Sequence, residues 1–162
     1  MNPERQGAGR VAAGGSVHRI RGKPRIMPDS NRLTGLSSWM TELNWERFRQ
    51  QVNSDAVFAR RSAGSNFRVL LGWGEEQYLV TVRDGRVDPV ESGPFVMPQC
   101  DFALNGSASA WDRFAAARPA PREQDIFAFF RSGEIVLGGD TRKFYAHLMC
   151  LKLLLLHLRK MP

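Results

Sequence analysis

Apolar residues along this chain change their period several times, and each change marks a predicted element. From Leu36 to Phe58 they recur at three and four residues, through Leu36, Trp39 and Leu43 and then Trp45, Phe48 and Val52. That spacing predicts a pair of helices, with Asn44 capping the second. The period then drops to two: Phe67, Val69 and Leu71 alternate, and after Gly72 and Gly74 so do Tyr78, Val80 and Val82. Both runs read as half-buried strands. Asp84-Gly85 is a two-residue hairpin signal, so Val87 and Val90 should return antiparallel, with Pro89 suited to a sheet edge.

Beyond the meander the pattern alternates between strand and helix. Cys100, Phe102 and Leu104 form one face of a further strand that Gly106 ends, and Ser107 caps a helix with Trp111, Phe114 and Ala115 on one side. Pro119 stops that helix. Pro121 suits the first turn of the next, whose Ile126, Phe127, Phe129 and Phe130 cover more than half its circumference before Gly133 closes it. Ile135 to Leu137 is a short strand, and Gly138-Gly139-Asp140 turns it into a last helix from Thr141 to Lys160, capped by Asp140. In that helix Phe144, Leu148, Leu151, Leu155 and Leu158 make one stripe while Leu153, Leu154 and Leu156 spread apolar surface to other faces. No internal repeat appears.

Residues 1 to 28 lack such periodicity, offer only Val11, Val17, Ile20, Ile26 and Met27 to a core, and are expected to be a disordered basic tail ahead of a domain spanning 36 to 162. An Arg-rich, acid-poor stretch also resembles a transit peptide, and a start at Met27 would explain it equally well.

Composition changes the picture in two respects. At 162 residues with 43% hydrophobic content the chain suits one domain with one core. The net charge of +7 suggests nucleic acid until it is located: the first 28 residues carry six basic side chains against Glu4 alone, leaving the rest near balance. No specific nucleic-acid binding is therefore expected. Cys100 and Cys150 lack the close spacing of a zinc site or redox pair, which fits a reduced cytoplasmic compartment, and no transmembrane segment is read, the longest all-Leu run being Leu153 to Leu156.

The order from Cys100 onward carries a resemblance. A strand leads to Ser107-Ala108-Ser109-Ala110-Trp111-Asp112-Arg113-Phe114, then a Pro-containing break, an aromatic helix with Asp125-Ile126-Phe127, and Gly133-Glu134-Ile135-Val136-Leu137-Gly138-Gly139-Asp140 feeding a long apolar helix. This resembles the sterol carrier protein two family over roughly residues 40 to 160, most closely its bacterial stand-alone members. The resemblance implies an α+β fold: a five-stranded mixed, largely antiparallel sheet, helices covering one face, and a long apolar C-terminal helix. It further implies binding of a sterol, fatty acyl chain or other hydrophobic molecule, with Phe102, Trp111, Phe114, Phe127, Phe130, Phe144, Leu148, Leu151 and Leu155 as candidate tunnel residues.

Catalytic readings carry less. His147 and His157 fall on different faces of the last helix and cannot share a metal, while His18 lies in the tail. His147 and Cys150 do share a face, the geometry of a thiolate with its base, although a buried free cysteine is ordinarily inert packing. Gly7-Ala8-Gly9 and Gly72-Trp73-Gly74 lack the context of a nucleotide loop, and Asp84, Asp88 and Glu91 around a hairpin fit solubilising groups better than an acid-base pair. No catalytic residue, cofactor or metal is expected. Two functions remain open: a carrier that encloses a hydrophobic small molecule and presents it to a partner enzyme, or an interaction domain that docks on a partner or its own copy through the Leu-rich last helix.

Overall fold

The computed structural model describes residues 42–161; the expected tail and the helical positions Leu36 and Trp39 lie outside them. Helix α1 (Glu42–Ser54) runs straight through Asn44, so the predicted cap there is not used. The helix pair divides instead at Asp55, whose carboxylate accepts from the amides of Val57 and Phe58 at 2.8 and 3.2 Å and so starts α2 (Ala56–Arg61). A side chain that satisfies two orphan amides outcompetes one that would interrupt a helix already formed.

Strands β1 (Phe67–Trp73) and β2 (Glu76–Arg83) pair antiparallel, with Val69 opposite Val80 and Leu71 opposite Tyr78. Asp84 and Gly85 then turn the chain with φ of 52° and 72°, the two positive values a tight hairpin turn needs. The returning strand is split into β3 (Arg86–Val87) and β4 (Glu91–Ser92), both pairing with β2. Pro89 lies in the gap and has no N–H to give a ladder. Strand β5 (Phe102–Gly106) joins β1 in parallel, and β6 (Ile135–Gly139) joins β5 antiparallel. The sheet is thus mixed, ordered β3-β2-β1-β5-β6, five positions wide, with β4 a sixth strand sharing the β2 edge. Cys100, expected in the fifth strand, precedes it.

Period two puts Phe67, Val69, Leu71, Trp73, Tyr78, Val80, Val82, Phe102 and Leu104 on one face, and they join the helices in a single core. Helix α3 (Ala108–Ala115) begins where the Ser107 hydroxyl accepts from the Ala110 amide, as its sequence predicts. Helix α4 (Ile126–Ser132) is shorter than its apolar pattern implies. It starts at the Asp125 cap rather than at Pro121, because Asp125 accepts from the Phe127 amide and residues 116–125 form an irregular link. Gly133 closes it at φ 76°. After β6, Asp140 caps α5 (Thr141–Ala146), and α6 (Leu148–Leu158) follows. The single helix expected here is therefore broken at His147, whose φ of −105° and ψ of 13° leave the helical region while its ring stacks on Phe67 at 5.0 Å.

Candidate functional site

Three helices meet above the sheet, and their rings decide what is sealed and what is left open. The Trp111 indole stacks on Trp73 at 5.3 Å and donates to the Gly72 carbonyl at 2.7 Å, which fixes α3 to β1. Phe114 stands edge-on to Trp111 and to Phe129 of α4, at 5.9 and 5.8 Å. Further along, Phe102 lies against Phe67 and Phe144, each at 5.6 Å. Phe144 in turn gathers Phe127 and Phe130 of α4 at 6.4 and 5.7 Å. Leu151 and Leu155 of α6 complete the floor and are buried. Of the nine sequence candidates, Phe102, Trp111, Phe114, Phe144, Leu151 and Leu155 thus sit inside, while Phe127 and Phe130 are half-buried beside Phe144 and Leu148 is half-buried against the core.

A narrow cleft of about 130 Å³ opens between α4 and α6, lined by Phe114, Gln124, Asp125, Ile126, Lys152, Leu155 and Leu156. Only Phe114 and Leu155 of the nine candidates line it. Its rim is a polar clasp: the Lys152 ammonium lies 2.6 Å from the Asp125 carboxylate and 4.8 Å over the Phe127 ring. Burial pushes the Asp125 carboxyl up, but the Lys152 bond and the Phe127 amide outweigh it and hold the group below its ordinary value. A second clasp is Arg159, which donates to the carbonyls of Phe114, Glu123 and Gln124 and covers the Phe114 ring at 4.7 Å. On the outer side of α4 two wider grooves, of about 470 and 670 Å³, share Arg122, Ala128 and Arg131 in their walls.

Sequence reasoning missed Ile126 as a lining residue, the Asp125–Lys152 clasp, and Arg159. Asp125 and Lys152 lie 27 positions apart, and no local spacing signals a pair that distant.

Cys150 is buried, which pushes its thiol up to about 11 despite a bond to Ser65, and the His147 ring stacks on Phe67. Asp88 pairs with Arg83 at 3.4 Å and Glu91 with Arg68 at 3.9 Å, both at the surface, as solubilising groups would.

His157 is more deeply placed than the sequence implied: it is 4% exposed, with Nε2 3.1 Å from Asp55 and the Lys160 ammonium on the same carboxylate. Burial lowers its pKa, Lys160 adds to this, and Asp55 opposes it. A base with a depressed folded pKa stays neutral while the unfolded chain begins to take up a proton near pH 6.5, so stability is full above that value and falls below it. Denaturation midpoints should therefore drop between pH 8 and pH 5.5, and His157→Gln should flatten the drop. The Asp101 and Asp125 carboxyls, lowered by Lys143 and Lys152 against the effect of burial, release their contributions only in more acid solution. A midpoint that is flat in the parent chain over this window would refute the assignment.

No family model matches the chain, and no curated protein does. Solved structures do. A crystal structure of sterol carrier protein 2 matches 75% of this chain and 98% of its own, with TM-score 0.62 at 11% identity. The solution structure of a conserved hypothetical protein from Thermus thermophilus matches over 74% of this chain and 87% of its own, with TM-score 0.60 at 10% identity. A stereoselective inverting sec-alkylsulfatase from Pseudomonas sp. matches at TM-score 0.44 and 17% identity over 57% of this chain, which spans 14% of that protein's length. The fold is that of a sterol-carrier-protein-2-like domain, as the order of motifs after Cys100 implied. Among the described residues no helix is long and apolar enough to cross a membrane.

Proposed function

We propose that the domain binds a hydrophobic small molecule, of sterol, fatty acyl or isoprenoid type, between its core and helix α4, and performs no reaction on it. The observation that supports this most is a surplus of apolar side chain on the helices. With the core packed, Phe127, Phe130, Leu148 and Leu153 are still half-buried, Met149 is 60% exposed and Leu156 41%. Such a surface on a small domain fits a ligand that completes the packing. Phe102, Trp111, Phe114, Phe144, Leu151 and Leu155 would form the inner wall, and Phe127, Phe130 and Leu148 the wall that moves.

Movement is required because the cleft of about 130 Å³ is smaller than the roughly 300 Å³ of an ordinary small-molecule site. Helix α4 is suited to move: it has seven residues, follows an irregular link, and is held to α6 by the part-exposed Asp125–Lys152 ion pair, worth about 0 to 1 kcal/mol. Uncovering Ile126 and Phe129 costs about 2 kcal/mol apiece, whereas a chain of about a dozen methylenes gains on the order of 10 kcal/mol on leaving water. The ligand wins that comparison with enough margin to offset part of the cost of association. Titration with a fluorescent polyene fatty acid should give saturable binding of one molecule per chain, displaced by unlabelled fatty acid. A protein folded by circular dichroism that saturates with neither this probe nor a fluorescent sterol overturns the carrier reading.

A second reading has its own support. Met149, Leu153 and Leu156 lie at helical spacing along one side of α6, Met149 and Leu156 exposed and Leu153 half-buried, the stripe an interaction domain would dock with. Light scattering separates the two: a ligand-bearing monomer fits the carrier, a ligand-free dimer the docking domain.

A further inference from the structure

The outer grooves of α4 hold charge that the described residues do not neutralise. Five charged residues besides Arg122 and Arg131 bear on them, and all five are committed to one another. Glu123 and Glu134 both bind the Arg113 guanidinium, the first at 2.9 Å, and Asp125 binds Lys152 at 2.6 Å. Arg122 and Arg131 are exposed, line the same two grooves, and have no carboxylate partner among the described residues. Three carboxylates thus face four cations. The excess has a wider setting: residues 116–162 hold eight basic and four acidic side chains, whereas residues 42–115 hold eight and ten.

Position adds to the charge. Phe127, Ala128 and Arg131 share one face of α4 by helical spacing, so a guanidinium stands at the end of an apolar wall. Arg122 reaches the same grooves from a backbone φ of 76°, a conformation that costs an arginine about 1 kcal/mol or more and that no ion pair of its side chain among the described residues offsets. A guanidinium presents a planar fork of N–H donors that fits the two oxygens of a carboxylate or phosphate, and two such forks at one groove suit one oxyanion.

We propose that Arg122 and Arg131 form an oxyanion-binding site that takes the phosphate or carboxylate head of an amphiphile, whose apolar chain passes Phe127 and Ala128 to lie beneath α4. The site rests on the carrier reading for the chain's destination, but not for the head group. It makes the preferred ligand an anionic amphiphile rather than a neutral sterol.

Calorimetric titration of the full chain tests this with three probes used below their micelle concentrations: dodecyl phosphate, dodecanol and inorganic phosphate. Dodecyl phosphate should bind at least tenfold more tightly than dodecanol, and R122Q/R131Q should bring it to the dodecanol level while leaving dodecanol binding and the melting temperature unchanged. The basic residues of positions 1 to 28 are common to both chains and cancel in the comparison. Inorganic phosphate that binds as tightly as dodecyl phosphate, and loses binding in the double variant, supports the oxyanion site with free phosphate as its source. Equal binding of the two dodecyl probes, or dodecyl phosphate binding that survives the double substitution, overturns the site and leaves the carrier reading standing. Failure of both dodecyl probes with a folded protein overturns the carrier reading as well.

Discussion

Trp111→Ala is expected to cost about 4 kcal/mol of folding stability, near the middle of the range for emptying a buried aromatic site. Trp111 is 0% exposed and is held from three sides by Trp73, Phe114 and the β1 backbone. Truncation leaves a cavity under α3 and strips the Gly72 carbonyl of its buried donor, which by itself costs about 1 to 3 kcal/mol. Trp111→Phe keeps most of the stack and loses the donor, so it should fall well short of the alanine effect. Guanidinium unfolding followed by circular dichroism measures both. An alanine variant within about 1 kcal/mol of the parent would mean that the indole is not the fastening between α3 and the sheet that its contacts describe. The same logic bears on function: a ligand-binding defect in Trp111→Ala is informative only at temperatures where the variant is still folded.

Gly139→Ala is the second large effect, about 3 kcal/mol, because two costs coincide. Its φ of 85° is left-handed, worth about 1 to 2 kcal/mol against any residue with a Cβ. An added Cβ would also lie 2.8 Å from the Asp101 carbonyl oxygen and 2.9 Å from the Phe102 Cα, backbone atoms that open β5 and cannot swing aside. The Asp101 carbonyl is engaged besides, accepting from the Asp140 amide at 2.8 Å. Gly133→Ala is the control: φ is 76° there too, but nothing lies within 4 Å of the added carbon. It should lose only the conformational part. Melting temperatures of the pair therefore separate strain from clash, and equal losses at the two positions would show that the close approach of β6 to β5 is not what demands glycine.

Much of this fold was legible because local chemistry and tertiary packing agree. Alternation at Phe67 to Leu71 and Tyr78 to Val82 became paired strands with one common buried face, Asp84-Gly85 became the turn between β2 and β3, and Ser107 and Asp140 cap the helices they precede. Failures cluster where a distant partner decides. Asn44 looked like a cap, yet Asp55 takes that role just after Val52, and the same carboxylate meets His157 from the other end of the chain. The last helix breaks at His147, where the ring settles on Phe67, a contact between residues far apart in sequence that no helical pattern encodes. Helix α4 starts late because Asp125 both caps it and binds Lys152, so Pro121 is left in the link.

The apolar character of the candidate residues was legible, but their arrangement was not. Residue type identified Phe and Leu on three helices as apolar surface in excess. Type does not say which rings lock together, and Phe144 consumes much of the excess by meeting Phe102, Phe127 and Phe130 at once. Nor could a Leu-rich helix announce that Leu154 is buried and Leu156 exposed, since that depends on which side α1 and α2 approach.

On the carrier reading an apolar ligand lies between α4 and α6. Photo-cross-linking with a diazirine-bearing fatty acid, followed by peptide mapping, tests it most directly. Labels should concentrate on peptides holding Ile126, Phe127, Leu155 and Leu156 and be suppressed by unlabelled fatty acid. Labels scattered over exposed apolar positions elsewhere, such as Val96 and Met97, with no suppression by competitor, would contradict it.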